Sequence, residues 1–293
     1  MFKGTGTALI TPFDTEFNLD FPALNKIIDH QLKNNVDALI VLGTTGESPV
    51  ITMSERERIT AAVIERVNGK IPVIIGTGTN DTMKVIELNK LAEKQGADAV
   101  LIVNPYYNKG TQSSLIQHYR MIAENTNLRI IIYNVPSRTA MNILPETILA
   151  IHEKCPNVVA VKEASGDISQ IAYLMSVKPD SLSVLSGNDD QTLPIMALGG
   201  EGVISVFSNP FPAEMKQITD AMLKNDLNTA LKFNKKYIPM MRKLFVETSP
   251  APVKYVMSKA GFCMNVLRLP LLKSSAGAEA VLDEELKNYS LKV

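Results

Sequence analysis

The sequence predicts an α/β fold, a (β/α)8 TIM barrel followed by a C-terminal helical extension, and three observations indicate it. Eight short runs rich in β-branched residues recur along the chain, stretches with helical periodicity separate them, and polar motifs follow almost every run. Near-continuous apolar strands are typical of a parallel sheet covered on both faces. Eight βα units in succession favour a closed barrel. An open doubly wound sheet is the alternative.

The eight predicted strands are short and almost entirely apolar. They span 7–10, 38–42, 71–75, 99–103, 130–133, 158–161, 182–185 and 202–206. One strand and its helix together take about one βα unit of chain, which is the repeat that a barrel of this type requires.

The segments between the strands carry helix signals. An apolar stripe at 24–32 has the spacing of one buried helix face. Ser54 with Glu57 has the spacing of a capping box, and Asp81 can cap the next helix. These signals predict helices that cover the outside of the barrel.

The domain prediction follows from where the strands stop. Residues 1–225 contain all eight βα units and form the predicted catalytic barrel, whereas 226–293 are predicted to be helices that pack on it. The segment 247–254 in this extension is expected to lie outside the functional site.

Composition excludes several classes of protein. The 293 residues contain 30 Lys and Arg against 30 Asp and Glu, so bulk charge does not favour nucleic acid or an anionic membrane as partner. The two cysteines, Cys155 and Cys263, exclude a disulfide framework and indicate a cytoplasmic setting. No apolar run reaches the length of a membrane helix.

The polar residues gather where barrel enzymes carry their chemistry, at the carboxyl ends of the strands. The motifs there are GTTGES (43–48), GTGTND (76–81), NPYYN (104–108), YNVPSRT (133–139), VAVKEASG (159–166), SGNDD (186–190) and SVFSNP (205–210). Their glycines and prolines let the backbone approach a small ligand, and their hydroxyls and amides supply hydrogen bonds.

Lys162 is the strongest single signal, because it follows four apolar strand residues and should point into the barrel mouth. A desolvated, neutral lysine amine is the nucleophile that forms an imine with a carbonyl compound. Two alternatives stay open: a lysine whose head reaches water, or an ion pair with Glu163.

Five further side chains, from tyrosine, threonine and arginine residues, are candidates around Lys162. The phenol of Tyr133 could pass protons at an imine nitrogen, and Thr44, Thr45 and Tyr107 could extend that relay or bind a carboxylate. Arg138 suits a substrate carboxylate. Each has a structural alternative: a rim aromatic, ordinary strand-end hydroxyls, or a loop salt bridge.

Motifs of other enzyme classes are missing from the sequence. It has no phosphate-binding GxxxxGK[ST] loop and no GxSxG, and GTGTND lacks the third glycine of a dinucleotide loop. His30, His118 and His152 lie in separate predicted helices, so a metal-dependent aldolase site is disfavoured and no cofactor is expected.

Taken jointly, the motifs resemble the dihydrodipicolinate synthase family of pyruvate-dependent Schiff-base aldolases. GTTGES, NPYYN, YNVPSRT, VKEASG, SGND and GVISV occur in its order and spacing, and LRLPL (267–271) extends the resemblance into the tail. The resemblance implies a cofactor-free lyase that condenses pyruvate with L-aspartate 4-semialdehyde in diaminopimelate and lysine biosynthesis.

The resemblance also implies a role for each matched position. Lys162 would form the Schiff base, with Tyr133, Thr44 and Tyr107 relaying protons and Tyr107 entering the neighbouring subunit's site. The implied substrate contacts are Thr45 and Ile204 for pyruvate and Arg138 for the semialdehyde carboxylate. The family's usual assembly, a homotetramer built from tight dimers, is the expected oligomer.

Two alternatives to this activity stay open. A sister aldolase could act on a 2-oxo sugar acid with the same lysine and tyrosine, although its polyol substrate would not need Arg138. A barrel that binds 2-oxo acids without turnover would need neither an imine former nor a proton relay.

One departure from the lysine-inhibited members concerns regulation. Three positions of their allosteric pocket are matched, by Ser48, Asn80 and Tyr106. Where those members carry two histidines and a glutamate, this chain has Met53, Arg56 and Lys84. Two cations would repel the ammonium of lysine, so feedback by lysine is predicted to be weak or absent.

Overall fold

Eight parallel strands close into a barrel in the computed structural model, which describes residues 2–289. The strands are β1 Gly4–Ala8, β2 Ala38–Val41, β3 Val73–Gly76, β4 Ala99–Val103, β5 Arg129–Asn134, β6 Val158–Glu163, β7 Ser183–Ser186 and β8 Gly202–Ser205. Each strand pairs with the next along the chain, and β8 pairs with β1. The predicted barrel is confirmed, and the open sheet is excluded.

The first strand begins earlier than its apolar residues predicted. Its pairing with β8 starts at Gly4, opposite Gly202. A Cβ atom on Gly202 would lie 2.0 Å from the Gly4 carbonyl oxygen, so only glycine permits this close approach. The glycines that weakened the strand signal are therefore part of the barrel closure.

Twelve helices in the described part of the chain surround and extend the barrel. They are α1 Phe21–Lys33, α2 Met53–Val67, α3 Thr82–Gln95, α4 Gln112–Ala123, α5 Pro136–Thr139, α6 Pro145–Lys154, α7 Ile168–Val177, α8 Thr192–Ala197, α9 Pro212–Leu223, α10 Leu227–Lys243, α11 Ala251–Lys259 and α12 Ala276–Leu286. None of the helices in residues 2–289 has the length and apolar character needed to cross a bilayer.

The helix caps correct one prediction and confirm another. The capping box of α2 is formed by Thr52 and Glu55, not by Ser54 and Glu57, because the helix begins at Met53. Asp81 caps α3 as predicted, accepting hydrogen bonds from two backbone amides.

The barrel interior and the helix layer form two separate apolar clusters. The interior cluster includes Ile40, Ile74, Ile131 and Leu185, and Tyr133 belongs to it as well. The larger cluster lies between strands and helices. Because successive strand residues point to opposite faces, each strand contributes to both clusters.

The extension packs on the barrel through α10, which lies against α9. Its own helices are joined by an ion pair between Lys243 of α10 and Glu285 of α12, 2.5 Å apart. The division into a catalytic barrel of 1–225 and an extension of 226–293 stays a prediction, since α9 and α10 pack continuously.

Candidate active site

Lys162 lies near the carboxyl end of β6 with its side chain inside the barrel. It is only 5% exposed, and its Nζ lies 4.1 Å from the ring centroid of Tyr133. The two residues are direct neighbours in the β5–β6 pairing. The lysine head therefore does not reach bulk water, which removes the surface-lysine alternative.

The second alternative, an ion pair with Glu163, is not formed. Glu163 points to the other face of β6, where its carboxylate accepts hydrogen bonds from the Ser165 amide at 2.7 Å and from the Asn134 side chain at 3.2 and 3.3 Å. Burial raises the pKa of Glu163, and these hydrogen bonds oppose that rise. Within residues 2–289, Lys162 has no carboxylate partner.

The loop after β7 makes room for Lys162. A Cβ atom on Gly187 would lie 3.1 Å from Cε of Lys162 and 2.7 Å from Cβ of Ala164. Two residues on, the buried Asp189 accepts hydrogen bonds from the amides of Val206 and Phe207 at 3.1 and 2.9 Å. The SGNDD motif thus packs against the aliphatic part of Lys162 and holds the loop after β8 by hydrogen bonds.

Asp189 is a further functional candidate. It lies within the SGNDD motif, but the sequence alone did not identify it as a site residue. Burial raises its pKa to about 6, while the Ser205 hydroxyl, two backbone amides and the positive charge of Lys162 lower it. Its position one strand from Lys162 was the signal that could have found it, because perturbed carboxyls cluster at functional sites.

A cavity of about 260 Å³ opens at the carboxyl ends of β2 to β5. Thr44, Tyr133 and Arg138 line it, together with Arg56 and Tyr106. No carboxylate from the described part of the chain is among its lining residues. A cavity with two guanidinium groups and hydroxyls on its wall suits a small anionic substrate.

Thr44 and Thr45 lie in a short 3-10 turn, Thr44–Gly46, directly after β2. Thr44 is half-buried on the cavity wall, and Thr45 is buried beneath it. The turn is fixed from below by the Thr11 hydroxyl, which donates to the Gly46 carbonyl at 2.8 Å.

Arg138 lies in α5 and is exposed at the cavity mouth. Its Nη2 donates to the carbonyl oxygen of Ser249 at 3.3 Å. The expectation that 247–254 lies outside the site is therefore wrong, because the extension folds back to the mouth. The alternative of a loop salt bridge is not formed within residues 2–289.

Three of the predicted site residues line this cavity, and four do not: Lys162, Thr45, Tyr107 and Ile204. Tyr107 is 92% exposed and has a backbone φ of 69°. Ile204 is fully buried in β8, inside the barrel and paired with Gly6 of β1. The structure thus brings Thr44, Tyr133 and Arg138 to one cavity, places Lys162 against Tyr133, and leaves Tyr107 outside.

Arg56 lines the cavity beside Ser48 and Tyr106, two of the positions matched to the allosteric pocket of the lysine-inhibited members. Its guanidinium is buried and donates to the carbonyl oxygens of Ser48 at 2.9 Å and Gly76 at 3.2 Å, and to the Ser48 hydroxyl. Burial lowers the pKa of Arg56. Lys84 forms its own ion pair with Glu87 at 2.8 Å.

Known proteins resemble this chain over its whole length. The model of the dihydrodipicolinate synthetase family matches residues 1–289. The 4-hydroxy-tetrahydrodipicolinate synthase of Thermotoga neapolitana is 48% identical over 294 residues, covering 99% of this chain and 100% of the relative.

The chain belongs to the dihydrodipicolinate synthetase family. A crystal structure of dihydrodipicolinate synthase from Thermotoga maritima superposes with a TM-score of 0.96 at 47% identity, covering 98% of both chains. A dihydrodipicolinate synthase variant characterised as monomeric has the same TM-score at 46% identity, with 98% and 96% covered. The resemblance predicted from the motifs is confirmed.

Members of the dihydrodipicolinate synthetase family are lyases. They condense pyruvate with aspartate semialdehyde in lysine and diaminopimelate biosynthesis. Family membership and the closed barrel together show a lyase with a (β/α)8 fold.

Proposed function

We propose that this chain condenses pyruvate with L-aspartate 4-semialdehyde to 4-hydroxy-tetrahydrodipicolinate through an imine on Lys162. The observation that carries the proposal is the lysine itself, buried against Tyr133 and without a carboxylate partner in residues 2–289. A lysine amine that is buried beside a phenol and held by no carboxylate is placed to attack a carbonyl compound and form an imine.

The first half of the reaction joins Lys162 to pyruvate. The amine attacks the keto carbon, a proton passes to the hydroxyl that forms there, and water leaves as the imine is made. Tyr133 is the proton donor in this proposal, with Thr44 and Tyr107 as its relay. Thr45 and the backbone of Ile204 hold the pyruvate carboxylate.

The second half makes the new carbon–carbon bond. Loss of a methyl proton turns the imine into an enamine, and the enamine carbon attacks the aldehyde carbon of the second substrate. The amino group of that substrate then attacks the imine carbon, the bond to Lys162 breaks, and the ring closes. Overall, one water is released.

Arg138 selects the second substrate in this proposal. Its exposed guanidinium lines the cavity mouth and is held there by the Ser249 carbonyl. A short, charged aldehyde needs such a cation for its carboxylate, whereas a polyol aldehyde does not.

A comparison of aldehydes tests this choice. With pyruvate held constant, product formation is measured with L-aspartate 4-semialdehyde and with a neutral aldose. We expect turnover with the semialdehyde and at most trace turnover with the aldose. Turnover confined to the aldose would assign the chain to sugar-acid aldol chemistry instead.

We also propose that no metal or organic cofactor takes part and that the protein acts in the cytoplasm. In the described part of the chain, no three metal-ligating side chains lie together, and imine chemistry needs none. Cys155 and Cys263 are free thiols, which suits a reducing compartment.

Tyr107 supports a functional oligomer. Its ring is exposed and does not line the cavity of its own chain, so it is available to a neighbouring subunit. The exposed apolar side chains of Tyr173, Val177 and Leu198 could form a second contact. We propose a tetramer built from two dimers.

Subunit complementation tests the role of Tyr107. A Tyr107→Phe variant and a Lys162→Ala variant are prepared separately and then mixed under conditions that exchange subunits. In a mixed dimer, the first subunit has an intact Lys162 and receives Tyr107 from its partner. We expect activity above either variant alone, whereas no gain after proven exchange would contradict a shared site.

A further inference from the structure

A second lysine, Lys254, is buried as completely as any side chain in the protein. It belongs to α11 in the C-terminal extension, and it forms an ion pair with Glu47 of the GTTGES motif. Both side chains are 0% exposed. Nζ of Lys254 also donates to the Val266 carbonyl at 2.8 Å and lies 4.2 Å from the ring centroid of Phe13.

The other oxygen of Glu47 is held by the same extension. Oε2 accepts a hydrogen bond from the backbone amide of Arg268 at 3.0 Å. The Arg268 guanidinium reaches on to the Val50 carbonyl at 3.0 Å and to the carboxylate of Glu55 at the start of α2. The extension thus contacts the loop that follows β2 at Glu47 and Val50, and it contacts Glu55 where α2 begins.

The backbone of Glu47 connects the contact with the extension to the turn that carries Thr44 and Thr45. It lies between two 3-10 turns, Thr44–Gly46 and Ser48–Val50, with φ 55° and ψ 35°. Its amide donates to the carbonyl oxygen of Thr44 at 3.1 Å. A left-handed conformation is unfavourable for glutamate and persists only where the surroundings enforce it.

Burying the Glu47–Lys254 ion pair costs desolvation free energy, so its presence calls for an explanation other than stability. Two charges taken fully out of water are often replaced by apolar residues without loss of stability, so stability alone does not explain their retention. A buried pair does, however, impose one geometry on the groups that it joins. Here those groups are the extension and the turn that carries Thr44 and Thr45.

We propose that Glu47 and Lys254 are positioning residues that hold the Thr44–Gly46 turn in its catalytic geometry from the C-terminal extension. The inference rests on the proposed function, in which Thr44 relays protons and Thr45 binds the pyruvate carboxylate. The pair serves the pyruvate half of the site. Arg138, on a different loop, serves the aldehyde half.

The double variant Glu47→Gln/Lys254→Met separates positioning from stability, because it removes both charges and leaves neither partner alone in the interior. We expect a melting temperature close to that of the wild type. We expect kcat to fall about 10- to 100-fold, the cost of misplacing a catalytic group. The KM for pyruvate should rise about tenfold, the loss of one hydrogen bond to a charged group, while the KM for the semialdehyde stays unchanged.

Lys216→Met is the matched control. Lys216 pairs with Asp37 at 3.0 Å, just before β2 and at the end of the barrel opposite the cavity. We expect this variant to lose stability and to keep both KM values, since the pair has no contact with the Thr44 turn.

A second variant decides the question if the double variant does not fold. Glu47→Asp keeps the buried charge balance but shortens the side chain that spans to Lys254. We expect the same increase in the KM for pyruvate, with a smaller fall in kcat.

The outcomes separate the two proposals. If the wild type turns over and the folded variants keep kcat and the KM for pyruvate within about twofold, the pair is only structural and the positioning role is overturned. If the wild type itself forms no imine with pyruvate, the proposed function fails, and the positioning role fails with it.

Discussion

Two lysines, Lys162 and Lys254, are both buried beside an aromatic ring, but within the described part of the chain only one of them is paired with a carboxylate. Each ammonium lies over an aromatic ring, 4.1 Å from the centroid of Tyr133 and 4.2 Å from that of Phe13. Lys254 is paired with the carboxylate of Glu47, whereas Lys162 has no such partner in residues 2–289. The ring beside Lys162 carries a hydroxyl, and the ring beside Lys254 does not.

The comparison teaches that burial alone does not make a lysine a nucleophile. Burial lowers the pKa of Lys254, and the negative charge of Glu47 opposes that fall without reversing it. The two lysines differ in their partners: Glu47 and the Val266 carbonyl hold the Lys254 amine, whereas the Lys162 amine faces Tyr133. Lys162 combines burial, an unpaired amine and a neighbouring phenol, and all three are needed for imine chemistry.

The largest expected effect comes from replacing each lysine in turn by methionine. Lys162→Met should lower turnover by at least about 10⁴-fold, because the covalent route is lost, and should not destabilise the fold. Lys254→Met should cost about 3–5 kcal/mol of unfolding free energy, because Glu47 is left as an unpaired buried charge. Steady-state rates and urea unfolding measure both effects.

The opposite pattern would reverse the assignment of the two lysines. A Lys162→Met variant that kept normal turnover, or a Lys254→Met variant as stable as the wild type, would show that the structure distinguishes them wrongly.

Tyr133→Phe makes the surroundings of Lys162 resemble those of Lys254. The ring contact with the ammonium is kept, but the phenol is removed. We expect kcat to fall about 10²- to 10⁴-fold, the usual contribution of general acid–base catalysis, with a near-normal melting temperature. Rates are compared with those of Tyr119→Phe, another tyrosine that lies outside the cavity. Equal effects of the two changes would contradict a specific role for Tyr133.

Arg138→Ala sharpens the comparison between the two halves of the site. In the proposed mechanism Lys162 and Thr45 bind pyruvate, so removing the guanidinium should leave the KM for pyruvate unchanged. The KM for the semialdehyde should rise about 10- to 100-fold, as expected for lost hydrogen bonds between charged groups. If only the KM for pyruvate rises in this variant, Arg138 binds pyruvate and not the semialdehyde.

The smallest expected effect is that of free lysine on the enzyme. The Arg56 guanidinium is bound to Ser48, and Lys84 carries a second positive charge at a position where the lysine-inhibited members of the family have none. Both would repel the ammonium groups of lysine. Initial rates should stay nearly constant up to millimolar lysine, and half-inhibition in the low-millimolar range or below would contradict the prediction.

Much of the fold could be predicted because its signals are local. Apolar runs and helical spacing identified all eight strands, and the position of Lys162 at the end of such a run placed it inside the barrel. The capping box of α2 was assigned to the wrong pair, because Ser54 and Glu57 repeat the spacing of Thr52 and Glu55 two residues later. Local patterns do not distinguish such near-repeats.

Contacts between distant parts of the chain could not be predicted in the same way. Glu47 and Arg268 are 221 residues apart in sequence, and neither residue type indicates a partner. The contact of Arg138 with Ser249 is of the same kind. Polar residues at strand ends therefore indicated the site, whereas the groups that hold it in place became visible only in three dimensions.

The measurement that tests the central claim most directly is borohydride trapping with pyruvate, followed by peptide mapping. Both buried lysines are then examined in one protein and under one set of conditions. The comparison predicts a stable pyruvate-derived adduct on Lys162 and none on Lys254. An adduct on Lys254, or no adduct on folded protein under conditions that trap a known Schiff-base aldolase, would contradict it.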